Sequence, residues 1–87
     1  MVSQKIIVKN EQGLHMRPAG AFVKLASKYK CNIMIAANGK EINGKSVMNL
    51  IGACIKCGTE MEIKCDGDNE QEALNTLIDF VEAGMGE

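Results

Sequence analysis

The residues with the most chemistry to offer stand close together. The stretch Gly13-Leu14-His15-Met16-Arg17-Pro18-Ala19-Gly20 holds the chain's one histidine and its one proline. A neutral imidazole is a nucleophile that forms a reactive nitrogen–phosphorus bond. A guanidinium two residues on offers a fork of donors matched to phosphate oxygens. Pro18 suits the first turn of a helix, where its missing N–H costs nothing. A helix starting here leaves backbone N–H groups unpaired and puts partial positive charge beside them, a ready place for an anion. His15 and Arg17, with Pro18 setting the helix start, are therefore suited to accept a phosphoryl group and hand it on. Such transfer needs mainly positioning and charge stabilisation, which a small site supplies. The motif is short, and most lone surface histidines do nothing, so its place at a helix start is what gives it weight. No second base, paired carboxylate or phosphate-cradling glycine loop accompanies it. Hydrolysis or ATP-driven chemistry by this chain alone is not expected.

Two further groups of residues invite a chemical reading. Ser46 stands where a second helix opens, and capping alone explains a serine there. Cys54-Ile55-Lys56-Cys57 is a C-x-x-C. A closed zinc site needs two such pairs, or one pair with histidines, and the one imidazole has another use. A redox motif is expected at an electropositive helix N-terminus, and this pair follows a helix. Neutral thiols, with no metal and no cofactor, are expected. Cys65 lies in a strand where Met61, Ile63 and Cys65 alternate with Glu60, Glu62 and Lys64. That period of two puts it on the buried face as a small hydrophobe.

The elements that position these residues follow from periodicity. Residues 3 to 9 read as a strand and 10 to 13 as a loop. From Met16 to about Lys28, Ala19, Phe22, Leu25, Ala26 and Tyr29 recur at helical spacing. Residues 31 to 37 form a second strand. Asn38-Gly39 is a hairpin turn signal, so residues 40 to 43 form a third. Ser46 opens a short helix with Val47, Leu50, Ile51 and Cys54 on one face, ended by Gly58. Residues 59 to 65 make the fourth strand and 66 to 68 a turn. Asn69 is expected to cap the last helix, with Glu72 at the capping-box position and Ala73, Leu74, Leu77, Ile78 and Val81 as its apolar stripe. Gly84 stops it. The order βαββαβα, with one apolar face per strand and one stripe per helix, predicts an α+β fold. Helices cover one side of a mostly antiparallel sheet, and Lys5, Glu60, Glu62 and Lys64 lie on the side open to water.

Composition narrows the function. Eighty-seven residues make one small domain, 1–87, and an apolar content of 46% lets it fold alone. One tyrosine, two phenylalanines and no tryptophan leave little to stack on bases. A net charge of −1 without a basic run argues against direct nucleic-acid binding. No segment approaches the apolar length of a membrane span. The N-terminus lacks the apolar core of a secretory signal, so a cytoplasmic protein with reduced thiols is expected.

Gly13-Leu14-His15-Met16-Arg17-Pro18-Ala19 resembles the active-site motif of the HPr family. These are the histidine phosphocarriers of the phosphoenolpyruvate-dependent sugar phosphotransferase system. Lys45-Ser46-Val47-Met48 resembles the family's second signature, a regulatory serine, and the likeness runs without gaps from the first strand to Gly84-Met85-Gly86-Glu87. The resemblance implies an open-faced β-sandwich, a four-stranded antiparallel sheet covered on one face by three helices. It implies a monomeric carrier that has no turnover of its own. Phosphorylated enzyme I would load His15 on Nδ1, Arg17 would stabilise the phosphoryl group, and the A components of sugar permeases would receive it. Ser46 would be the substrate of HPr kinase/phosphorylase, and the product a corepressor for a catabolite-control repressor. Val47, Met48 and Ile51, with Met16 and Gly20, match the partner-docking positions. Met16 replaces a usual small residue, Gly20 is unusual within a helix, and Cys54 falls where the family commonly has glycine. A paralogue acting only through Ser46 would lack the histidine. A carrier of a nitrogen-related branch is a further alternative, against which the Ser46 context speaks.

Overall fold

The computed structural model describes residues 1–9 and 11–85, so the first residue of the expected 10–13 loop and the last two of the chain lie outside it. The elements run β1 (Val2–Ile7), α1 (Met16–Ala26), β2 (Asn32–Ala37), β3 (Lys40–Asn43), α2 (Val47–Gly52), β4 (Glu60–Asp66) and α3 (Glu70–Glu82). The sheet is antiparallel throughout, in the order β1-β4-β2-β3. This is the open-faced βαββαβα arrangement that the sequence predicts.

Alternation builds the sheet's inner face. Ile6, Ile33, Ile35, Met61, Ile63 and Cys65 are all buried. They meet Ala19, Phe22 and Ala26 of α1, Leu50 of α2, and Leu74, Leu77 and Val81 of α3. Phe22 and Phe80 pack at a tilt, with ring centroids 6.4 Å apart. On the outer face Lys5 sits opposite Glu62, and the Lys64 ammonium meets the Glu41 carboxylate at 2.8 Å. The β2–β3 turn has positive φ at Asn38 (53°) and Gly39 (76°), the pair of left-handed residues that a type I′ hairpin turn demands.

The structure corrects several boundaries and the N-terminal cap of α3. β1 ends at Ile7, not at residue 9. Val8 still exchanges backbone bonds with the 58–59 turn, its N–H to Thr59 O and its carbonyl to Gly58 N–H, so the chain leaves the ladder gradually. α1 stops at Ala26, and looser turns carry residues 27–29. α2 ends at Gly52, which leaves Cys54 outside the helix and exposed, not on its buried face. Asn69 is the N-cap of α3 by position, but it is left-handed (φ 56°) and its side chain makes no cap bond. Glu72 forms no capping box there. Instead the Glu70 carboxylate accepts the Gly67 N–H at 3.0 Å. The C-terminal stop is as expected: Gly84 N–H bonds Val81 O and Met85 N–H bonds Phe80 O, with Gly84 at φ 88°, which is the Schellman pattern.

Candidate phosphorylation site

The site is built on the first turn of α1. His15 is the N-cap residue, with extended backbone (φ −83°, ψ −171°), and its carbonyl takes the first helical bond from Ala19 N–H at 2.9 Å. Helix geometry leaves the N–H groups of Met16 and Arg17 without intrahelical partners, and Pro18 has none to offer. Nothing acidic lies in this first turn, and the His15 side chain makes no cap bond. A helix start is normally satisfied by Ser, Thr, Asp or Asn. Here an imidazole occupies that position, and the first turn carries no acidic residue to offset the positive end of the helix. Arg17 is exposed, His15 half-buried and Pro18 buried. The proline thus fixes the turn while the guanidinium stays at the surface.

The turn's position depends on the segment between α2 and β4. Leu14 N–H donates to Ile55 O at 2.8 Å. Gly13 has φ +67°, and a Cβ there would overlap Ile55 O and lie 2.7 Å from Lys56 Cα. Only glycine allows that approach. Leu14 and Ile55 are themselves buried, at 3% exposure each. The sequence did not reveal Ile55 as an anchor, because an isolated isoleucine between a cysteine and a lysine carries no periodic signal.

α2 packs beside α1 and brings the second group of expected residues to it. Ser46 caps α2, its Oγ accepting Asn49 N–H at 3.3 Å. The preceding loop is tied down twice: Lys45 Nζ donates to Tyr29 O at 2.6 Å, and Gly44 N–H donates to Ile33 O at 2.8 Å. Val47 and Ile51 are partly buried against the core, whereas Met16 (66%) and Met48 (76%) stand out in solvent. Gly20, in the interior of α1, has nothing within 4 Å of where a Cβ would be. Among the described residues no three histidine, cysteine or acidic side chains are grouped to hold a metal ion, and no helix is long and apolar enough to cross a membrane.

Comparison with known proteins agrees with this arrangement. Residues 2–83 match the family model described as the PTS HPr component phosphorylation site. The chain is 38% identical over 82 residues to the HPr-like protein Crh of Bacillus subtilis, covering 94% of this chain and 96% of that one. It is 36% identical over 87 residues to phosphocarrier protein HPr of Neisseria meningitidis, covering 100% and 98%. It superposes on the crystal structure of HPr-C-His from Thermoanaerobacter tengcongensis with a TM-score of 0.95 at 37% identity, covering 100% and 98% of the two chains. With a whole-chain match, the same fold and a histidine at the start of α1, this chain belongs to the HPr family of phosphocarrier proteins.

Proposed function

We propose that His15 is the phosphoryl acceptor, loaded by phosphorylated enzyme I and discharged to the A components of sugar-specific permeases. The observation that carries this reading is the imidazole at the N-cap of α1, with no acid in the first turn and Arg17 exposed beside it. The nitrogen–phosphorus bond forms at Nδ1 as the donor's bond to phosphorus breaks. The dianionic group then lies against the Met16 and Arg17 amides and within reach of the guanidinium. The protein supplies position and charge only, and a partner accepts the group in the reverse step. Met16, Gly20, Val47, Met48 and Ile51 form the docking face, where two exposed methionines adapt to different partner surfaces. The carrier works as a monomer in this reading, whereas the Crh of Bacillus subtilis is described as a domain-swapped dimer.

Ser46 is the regulatory position, phosphorylated by HPr kinase/phosphorylase. The phosphorylated form engages a catabolite-control repressor and resists loading of His15. Ser46 is partly exposed at a helix start, where an anion is tolerated. The added charge lies beside Val47 and Met48, which a partner must bury, so its effect falls on docking and not on folding.

The test is incubation with enzyme I and phosphoenolpyruvate, read by intact mass. One acid-labile phosphoryl group is expected, absent from His15→Ala. Arg17→Ala should load about tenfold more slowly, the worth of a charge-assisted hydrogen bond. Full loading of His15→Ala would end the carrier reading.

A further inference from the structure

The four thiols fall into two pairs of opposite character. Cys31 and Cys65 are buried, at 2% and 0% exposure, and Cys54 and Cys57 are both exposed and unbridged. The exposed pair brackets Ile55, and residues 55–59 hold the approach to His15. Ile55 O accepts Leu14 N–H, Ile55 O and Lys56 Cα crowd Gly13, and the Cys57 thiol lies 3.7 Å from Lys9 O. Gly58 and Thr59 bond both backbone groups of Val8. Cys54 is also held in a left-handed conformation, φ 54°, which is strained for a residue other than glycine.

We propose that Cys54 and Cys57 form a thiol–disulfide exchange site for low-molecular-weight disulfides, and that closing it loosens the clamp which Ile55 holds on the His15 loop. One thiolate attacks the small disulfide and forms a mixed disulfide, releasing one small thiol. The second thiolate displaces the other, so that two protein thiols are oxidised as one small disulfide is reduced to two thiols. Such exchange needs exposure, not the strongly acidic thiol of a helix N-terminus. A disulfide sets the Cα atoms about 4.4–6.8 Å apart, and the ring that it closes contains Ile55 and Lys56. In the reduced form, Cys54 N–H closes a turn on Ile51 O, while Cys57 belongs to a separate turn closed by Thr59 N–H on Lys56 O. Ring closure fixes the backbone torsions between these turns. Gly13 packs directly on those two residues, so the contact has no slack to absorb the change.

The full chain is reduced, then treated with oxidised glutathione, and free thiols are trapped by alkylation for peptide mapping. The expected product carries an internal Cys54–Cys57 disulfide and free Cys31 and Cys65. Persistent mixed disulfides without closure, or no reaction, overturn the proposal. Amide hydrogen exchange then compares the two forms. Leu14 N–H should exchange about fivefold or more faster when oxidised, as expected for loss of one hydrogen bond, and unchanged protection refutes the coupling. The consequence for phosphoryl transfer rests on the carrier reading, and loading by enzyme I should slow on oxidation and recover with dithiothreitol. Cys54→Ser combined with Cys57→Ser should load like the reduced protein and ignore the oxidant. If the reduced protein is not loaded at all, the carrier reading fails, and Leu14 exchange alone decides the thiol proposal.

Discussion

Two glycines of one motif should respond in opposite directions to the same added methyl group. Gly13 is left-handed at φ +67°, and its Cβ would overlap Ile55 O and lie 2.7 Å from Lys56 Cα and 3.1 Å from Lys56 C. These are backbone atoms, so no rotamer change relieves the overlap. Gly13→Ala incurs roughly 1 kcal/mol for the left-handed backbone. Moving the 55–56 segment away breaks the Leu14–Ile55 bond and leaves buried polar groups short of partners, at about 1–3 kcal/mol. The stiffer unfolded chain returns about 0.5 kcal/mol. The sum is a loss of about 1.5–3.5 kcal/mol, or a fall in Tm of roughly 6–28 °C for a domain of this size. Gly20 lies inside α1 with open space where its Cβ would be. Gly20→Ala should therefore gain about 1 kcal/mol of helix propensity and raise Tm by about 5 °C. Thermal unfolding by circular dichroism reads both. A Gly13→Ala protein melting within about 2 °C of wild type would refute the close approach that positions His15. Below its Tm, that variant should also load more slowly from enzyme I, while Gly20→Ala tests whether a methyl group is tolerated on the docking face.

Further outcomes follow from the caps and the titratable groups. Ser46→Ala removes the bond from Asn49 N–H. At 3.3 Å this cap belongs at the low end of the usual range, so a loss of about 0.5–1 kcal/mol is expected in denaturant unfolding. Ser46→Asp should restore the stability but slow loading by enzyme I, and the Ser46-phosphorylated form should load more slowly still. The Gly67 N–H, and then the N-terminal ammonium, hold the Glu70 carboxyl below its ordinary range. A depressed folded value contributes stability that is present above the ordinary carboxylate pKa and lost as pH falls through the folded one. Glu70→Gln should therefore flatten the acid limb of Tm against pH, and an unchanged limb would show that this cap contributes nothing. Burial, with Cys31 beside it, pushes the Cys65 thiol up to about 11. Stability from this group is complete below the ordinary thiol range and is lost as pH rises towards that value. Cys65→Ala should flatten the alkaline limb, and a thiol reagent at pH 8 should label Cys54 and Cys57 but neither Cys31 nor Cys65 until the chain unfolds.

The fold was legible in the sequence where one signal repeats along an element. Period two in residues 59–65 and the Ala73–Val81 stripe each recur several times, so one ambiguous residue does not mislead. Element ends rest on a single side chain, and there the reading failed. Asn69 and Glu72 look like a capping pair, yet the tight Gly67 turn brings in Glu70 instead. The chemical residues of the candidate site stood out for a different reason. Imidazole, guanidinium and proline in one short stretch are a weak signal by spacing alone, and the helix start and the family resemblance are what gave it weight. Their support was hidden, because Ile55 lies 41 residues after Leu14 and its role is carried by a carbonyl oxygen, a group that every residue possesses.

Cys54 shows which of these levels governs the site. Its type argues against a left-handed backbone, and the family's usual glycine would accept that conformation freely. The chain nevertheless takes φ 54° there. On one side the buried Leu50 and Ala53 fix where α2 ends, and on the other the buried Ile55 must reach Leu14. Two anchored neighbours leave one residue to make the turn, and burial of three apolar side chains outweighs a strain of about 1–2 kcal/mol. Cys54→Gly should then be a local relief, not a rearrangement. It should raise Tm by a few degrees, because the strain removed, about 1–2 kcal/mol, exceeds the entropy of about 0.4–1 kcal/mol that glycine adds to the unfolded chain. Leu14 N–H should keep its protection from hydrogen exchange, and loading at His15 should not change. If Cys54→Gly instead lowered Leu14 protection, the position of the clamp would depend on the cysteine side chain and not on its buried neighbours, and this account of how the His15 loop is held would fail.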